Sequence, residues 1–152
     1  EETFRIMEKH GVLSRREMES RLEIYREKYC KDMAIEASLC LTMARTMIFP
    51  AGVRYQHMLA KTAVALATLG KSGCTTTLDE INAVLSQLQQ AMLALEKALP
   101  LPAQGIKEQC GYITGTILPL MNKVREEADA LERICADDIW TLPTYQEMLF
   151  IR

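Results

Sequence analysis

Glycine and proline are scarce here, at seven and five residues in 152. Alternating β-branched runs are missing as well, so neither the turns nor the period of two that a sheet requires is present. Charge of one sign is also lacking. The formal net charge is -2, with acids and bases mixed along the chain, leaving no basic field to release counterions from a phosphate backbone; nucleic acid is not an expected partner. No stretch of about 18 apolar residues is free of charge, and no N-terminal run has the order of a signal peptide, so neither a membrane span nor export by such a signal is expected. The five cysteines, Cys30, Cys40, Cys74, Cys110 and Cys135, are odd in number and lie mostly inside helical patterns. That is unlike the paired framework of a small secreted domain and points to the cytoplasm. The chain opens Glu1-Glu2-Thr3 without methionine, which suggests a segment of something longer.

The spacings that hold metals and phosphates are missing too. No Cys-x-x-Cys and no His-x-x-x-His occurs, and the residues three before His10 and His57 are Met7 and Arg54, where a di-metal bundle would need glutamates. Gly70-Lys71-Ser72-Gly73 is the only glycine-rich loop. Its glycines are too close together for a phosphate-cradling loop, so it is expected to be a helix-to-helix turn. No catalytic, cofactor-binding or metal-ligating residue is assigned within these 152 residues.

Nearly half the residues are apolar and a quarter are charged, the composition of a globular chain of one domain, 1–152. The helical period runs almost throughout. A short helix around Thr3 to Lys9 is closed by Gly11, and Ser14-Arg15-Arg16-Glu17 has the form of a capping box. A long helix is expected from about Arg15 to Phe49, with Met18, Leu22, Tyr25 and Tyr29 on one face, and from Met33 onward it is apolar on nearly every side. Pro50 must kink this helix or open a new one, about Ala51 to Leu69. Thr77 and Glu80 suggest a second capping box ahead of Ile81, Leu85, Leu88, Met92 and Leu95. Ile106, Cys110, Ile113, Ile117, Leu120, Val124, Leu131 and Cys135 define a last stripe close to a heptad, bent at Pro119. The apolar end from Trp140 to Phe150 is expected to pack back on this domain or on a neighbour. The fold predicted is all-α: an up-and-down antiparallel bundle of about four long helices, with a short N-terminal helix and a docked C-terminal tail.

Among ionisable groups, Asp32 and Glu36 extend the Met18-to-Tyr29 stripe towards Leu39 and Met43. One of them is expected to be buried, with Arg45, Arg54 or Tyr55 as its partner if the chain folds back after Pro50, forming a structural ion pair. The acidic run of Glu126, Glu127, Asp129, Glu132, Asp137 and Asp138 alternates with Lys123, Arg125 and Arg133, as on a solvated face. The nine methionines fall mostly on core stripes.

Three segments carry a family resemblance. The first runs from Ser20-Arg21-Leu22-Glu23-Ile24-Tyr25 through Tyr29 to Ile35-Glu36-Ala37. The second is Ile48-Phe49-Pro50-Ala51-Gly52-Val53-Arg54-Tyr55-Gln56. The third is Met121 to Glu132 followed by Trp140-Thr141-Leu142-Pro143-Thr144-Tyr145-Gln146-Glu147-Met148-Leu149-Phe150. Together they resemble the C-terminal helical region of type III glutamine synthetase, and the final segment is the most specific because no generic helix explains it. The resemblance implies a full-length ligase that joins ammonia to glutamate with ATP and Mg or Mn, in a cytoplasmic homo-oligomer, a dodecamer of two stacked hexamers. It places the catalytic residues in domains preceding this region. These helices would then serve structure and assembly, meeting the catalytic domain of the same chain and neighbouring subunits. Pro50, Arg54, Tyr55, Trp140, Tyr145 and Phe150 are the contact candidates beside Asp32 and Glu36, and Ile48, Phe49, Trp140 and Phe150 supply the apolar surface. The competing reading is a stand-alone helical adaptor; a small metal-bundle enzyme is a third.

Overall fold

The capping box at Ser14 forms as its sequence predicts: Glu17 N–H donates to Ser14 Oγ at 3.3 Å while the Ser14 N–H donates to Glu17 Oε2 at 2.8 Å. This opens the dominant element of the computed structural model, which describes the chain except residues 1, 74, 103, 104, 144 and 150–152 and the side chains of residues 145 and 146. Before it, α1 (Glu2–Lys9) ends in a turn where Gly11 takes φ 65°, a left-handed conformation that costs glycine little.

Helix α2 (Arg15–Met43) runs into a π-helical turn (Ala44–Ile48) and then into α3 (Phe49–Thr68). Right-handed helical dihedrals persist at Met43, Ala44, Ile48 and Phe49. The two helices expected on either side of Pro50 are therefore one rod, about 80 Å long at 1.5 Å per residue, and the expected fold-back after Pro50 does not occur. The physical reason lies in the hydrogen-bond ladder. Proline has no N–H to donate and its ring crowds the carbonyl four residues back. Here the ladder slips by one residue just before it, the Phe49 N–H reaching Ala44 O, so Pro50 falls in the first turn of α3, where no donor is needed.

The device recurs. Helix α5 (Ile106–Tyr112) leads through a π-helical turn (Ile113–Ile117) into α6 (Leu118–Ile134), the Leu118 N–H bonds Ile113 O, and Pro119 follows. Between these rods, Gly70 at φ 68° turns the chain, and α4 (Thr76–Ala98) returns antiparallel to α3. Its N-cap is Thr75, without a side-chain bond. The capping box expected from Thr77 and Glu80 is not formed because Thr77 already lies inside the helix.

Three rods make the core, in keeping with the predicted all-α bundle, and no strand occurs among the described residues. The long rod contributes small side chains every seventh position, with Cys30, Ala37, Ala44 and Ala51 all nearly inaccessible. Against them lie Ile81, Leu85, Leu88 and Leu95 of α4, Ile113 and Ile117 of the second π-helical turn, and Val124 and Leu131 of α6. Small residues on one rod let the two leucine- and isoleucine-rich rods approach it closely. Gly52 marks the tightest point, since a Cβ there would lie 2.8 Å from Leu131 Cδ2 and from Leu85 Cδ2. Beyond α6 the chain folds back, and Trp140 and Leu142 pack on the core ahead of α7 (Tyr145–Leu149).

Candidate functional site: the outer face of the long helix

Asp32 and Glu36 are both exposed, contrary to the expected burial. Asp32 accepts a 2.9 Å bond from Lys28, its neighbour one turn back. The core stripe passes through Cys30 and Ala37, which turns both carboxylates away from the bundle. Arg45 forms a two-pronged ion pair with Glu96 instead, tying the first π-helical turn to the end of α4. This pair holds the Glu96 carboxyl below and the Arg45 guanidinium above their usual ranges, chiefly through the shared hydrogen bonds. Arg54 is exposed, and Tyr55 is half-buried against the core. Neither meets Asp32 or Glu36, because the fold-back that would bring them together is absent.

The buried carboxylate is Glu127, at 5% exposure, and it accepts a 2.6 Å bond from Lys123. That bond raises the Lys123 pKa. The acidic run thus corresponds to a solvated face except at this position. Spacing contained the signal: Glu127 lies three residues after Val124 and four before Leu131, the heptad steps of the core stripe.

The residues expected to supply an interface are mostly covered by the domain itself. Ile48 is 7% exposed in the core, and Phe49 and Trp140 are half-buried against it. Beside Ile48, a cleft of about 350 Å³ lies between the first π-helical turn and α6, closed on one side by Trp140, Leu142 and Met148. Phe150 and the side chain of Tyr145 lie outside the described residues.

Apolar surface is available elsewhere. Ile24, Ile35 and Leu39 are 60%, 68% and 56% exposed, and their spacing puts them on the face of α2 opposite Cys30, Ala37 and Ala44. Further along the rod Val53 and Val64 are exposed on the same face. The outer face therefore carries large aliphatic side chains among lysines and threonines at intervals along the rod. The positions of Ile35 and Leu39 were concealed in the sequence because α2 reads as apolar on nearly every side from Met33 onward, and only the packing distinguishes its inner from its outer stripe there.

Among the described residues, no three His, Cys, Asp or Glu side chains converge as a metal site would require. No described helix is long and apolar enough to cross a membrane.

A family model described as the glutamine synthetase C-terminal domain matches residues 1–67. Similarity to curated proteins continues to the other end: a type-3 glutamine synthetase from Dictyostelium discoideum is 27% identical over 164 positions, covering 100% of this chain and 22% of that protein. A glutamine synthetase from Butyrivibrio fibrisolvens is 30% identical over 159 positions, with 99% and 22% covered. The chain is thus similar to glutamine synthetases over nearly its whole length, and to the model of their C-terminal domain over residues 1–67. A third relative, the glutamine synthetase of Bacteroides fragilis (strain YCH46), is 24% identical over 93% of the chain and 21% of its own length. The chain spans about a fifth of the length of the relatives it matches. The family match ends within one residue of the long rod's end at Thr68. It therefore covers the whole outer face from Ile24 to Val64.

Proposed function

We propose that this domain is a non-catalytic support and assembly element of a cytoplasmic glutamate–ammonia ligase. Its outer helical face would pack against the remainder of the enzyme or a neighbouring subunit of a homo-oligomer. The observation that carries the proposal is the exposed row of Ile24, Ile35 and Leu39 in a domain that makes up about a fifth of its relatives. Burying these side chains would contribute roughly 1.5–3 kcal/mol each, enough to hold a domain in register with its neighbour. ATP, Mg or Mn, glutamate and ammonia would be handled by the rest of the full-length chain. The rods described here bring together no cationic clamp and metal set of the kind that phosphoryl transfer uses. A stand-alone adaptor is the less favoured reading, because the relatives carry this domain within a much longer protein.

The test is a full-length enzyme bearing Ile35→Glu and Leu39→Glu together. It is expected to keep its helical circular dichroism while its oligomer dissociates in size-exclusion chromatography with light scattering. A normal assembly with full ligase activity would overturn the proposal. The isolated domain, given ATP, glutamate and ammonia, is expected to release no phosphate and form no glutamine.

A further inference from the structure

Cys30 and Cys110 meet where α2 packs on α5, their Sγ atoms 3.2 Å apart. Cys30 is buried and Cys110 half-buried. Each thiol also points at a backbone carbonyl of the opposite helix, Cys30 towards Ile106 O at 4.0 Å and Cys110 towards Arg26 O at 3.8 Å. Those carbonyls lie one turn before the facing cysteine in each helix, so the two helices are pressed together in reciprocal register at this level. A solvent-open cleft of about 400 Å³, lined by Glu23, Glu27, Cys30, Lys31, Leu101 and Gln109 among others, reaches the pair from the Cys30 side, and Cys110 is itself only half-buried, so a small oxidant can arrive without the bundle opening.

We propose that Cys30 and Cys110 form a redox-modification site, in which two-electron oxidation by a peroxide joins them in a disulfide that staples α5 to α2. The Cys110 thiolate attacks one peroxide oxygen; the O–O bond breaks, hydroxide leaves, and Cys110 becomes a sulfenic acid. The Cys30 sulfur then attacks the Cys110 sulfur. The S–S bond forms as the S–O bond breaks, and the departing hydroxide takes the Cys30 proton and leaves as water. Overall the two thiols give up two electrons and two protons, and one hydrogen peroxide becomes two waters. The order follows from the surroundings. Burial, reinforced by the neighbouring thiol, pushes Cys30 up to about 11, so at neutral pH it stays protonated, and the more accessible Cys110 reacts first.

The bond would close a ring spanning 80 residues, restricting the unfolded chain and stabilising the fold. To test this, the full-length protein is treated with hydrogen peroxide, its remaining thiols are alkylated, and its proteolytic peptides are weighed by mass spectrometry. The expected product is the Cys30 peptide joined to the Cys110 peptide, two hydrogens lighter than the pair and released by a dithiol reductant. The thermal midpoint is expected to rise on oxidation and to fall back on reduction. Three results would overturn the proposal: both cysteines remaining alkylatable, Cys110 advancing to the sulfinic acid while Cys30 stays alkylatable, or a linkage through a different cysteine. The linkage is read on the wild-type chain and does not depend on a cysteine variant folding.

Discussion

At position 52 a hydrogen stands where every other residue would place a Cβ 2.8 Å from two buried leucine methyls. Gly52→Val adds three carbons at the meeting point of all three rods, and its overpacking is expected to cost about 1–3 kcal/mol, read as a lower urea midpoint with an unchanged slope. Ser14→Ala should cost about 1 kcal/mol by leaving an orphan N–H at the start of α2. Charge at this scale acts through pH. Hydrogen bonds lower the carboxyl pKa of Glu96 through Arg45, of Glu17 through Ser14 and of Glu27 through Lys31, all from a usual value of 4.5. A carboxylate with a depressed folded pKa contributes stability that is present above the unfolded value and lost as pH falls through the folded one. Stability should therefore decline below about pH 4.5, and Glu96→Gln should decline less steeply, as followed by thermal unfolding across that range. The capping box at Ser14 was fully legible in sequence, since it needs only residues three apart. The burial of Glu127 and the exposure of Asp32 were not, because they depend on which of several apolar faces the neighbouring rods select.

The elements were legible in type and nearly so in extent, and the exception at Pro50 is informative. A proline in mid-helix ordinarily removes one bond and costs about 3 kcal/mol. The π-helical turn at Ala44–Ile48 instead shifts the ladder so that Pro50 has no bond to lose. Pro50→Ala is accordingly expected to change stability by less than about 1 kcal/mol, since there is no missing ladder bond to regain and only the freedom of the unfolded chain increases. A gain near 3 kcal/mol would mean the turn does not accommodate the proline. Sequence alone offered a kink or a new start at this position. It could not reveal a continuous passage, because the slip of the ladder is held in place by the burial of Ala44 and Ile48 within the turn and of Ala51 just after it. Leu95, inaccessible in the last turn of α4, tests the same packing from the facing rod: Leu95→Ala should cost about 2–5 kcal/mol in chemical denaturation.

For the whole molecule, the all-helical architecture was legible from the 3.6-residue period, and the family resemblance rested on segments at both ends that the comparisons support. The proposed interface was legible only in kind. The sequence offered Ile48, Phe49 and Trp140 as spare apolar surface, whereas the fold draws all three inward and leaves Ile24, Ile35 and Leu39 outside. A rod of small core residues can bury one stripe against two neighbours, and the opposite stripe is then left for something beyond this domain. Hydroxyl-radical footprinting tests that claim most directly, by comparing oxidation of Ile35 and Leu39 in the isolated domain with oxidation in the full-length enzyme. Strong protection of both side chains in the full-length protein is the result expected here, and equal oxidation in the two would contradict it.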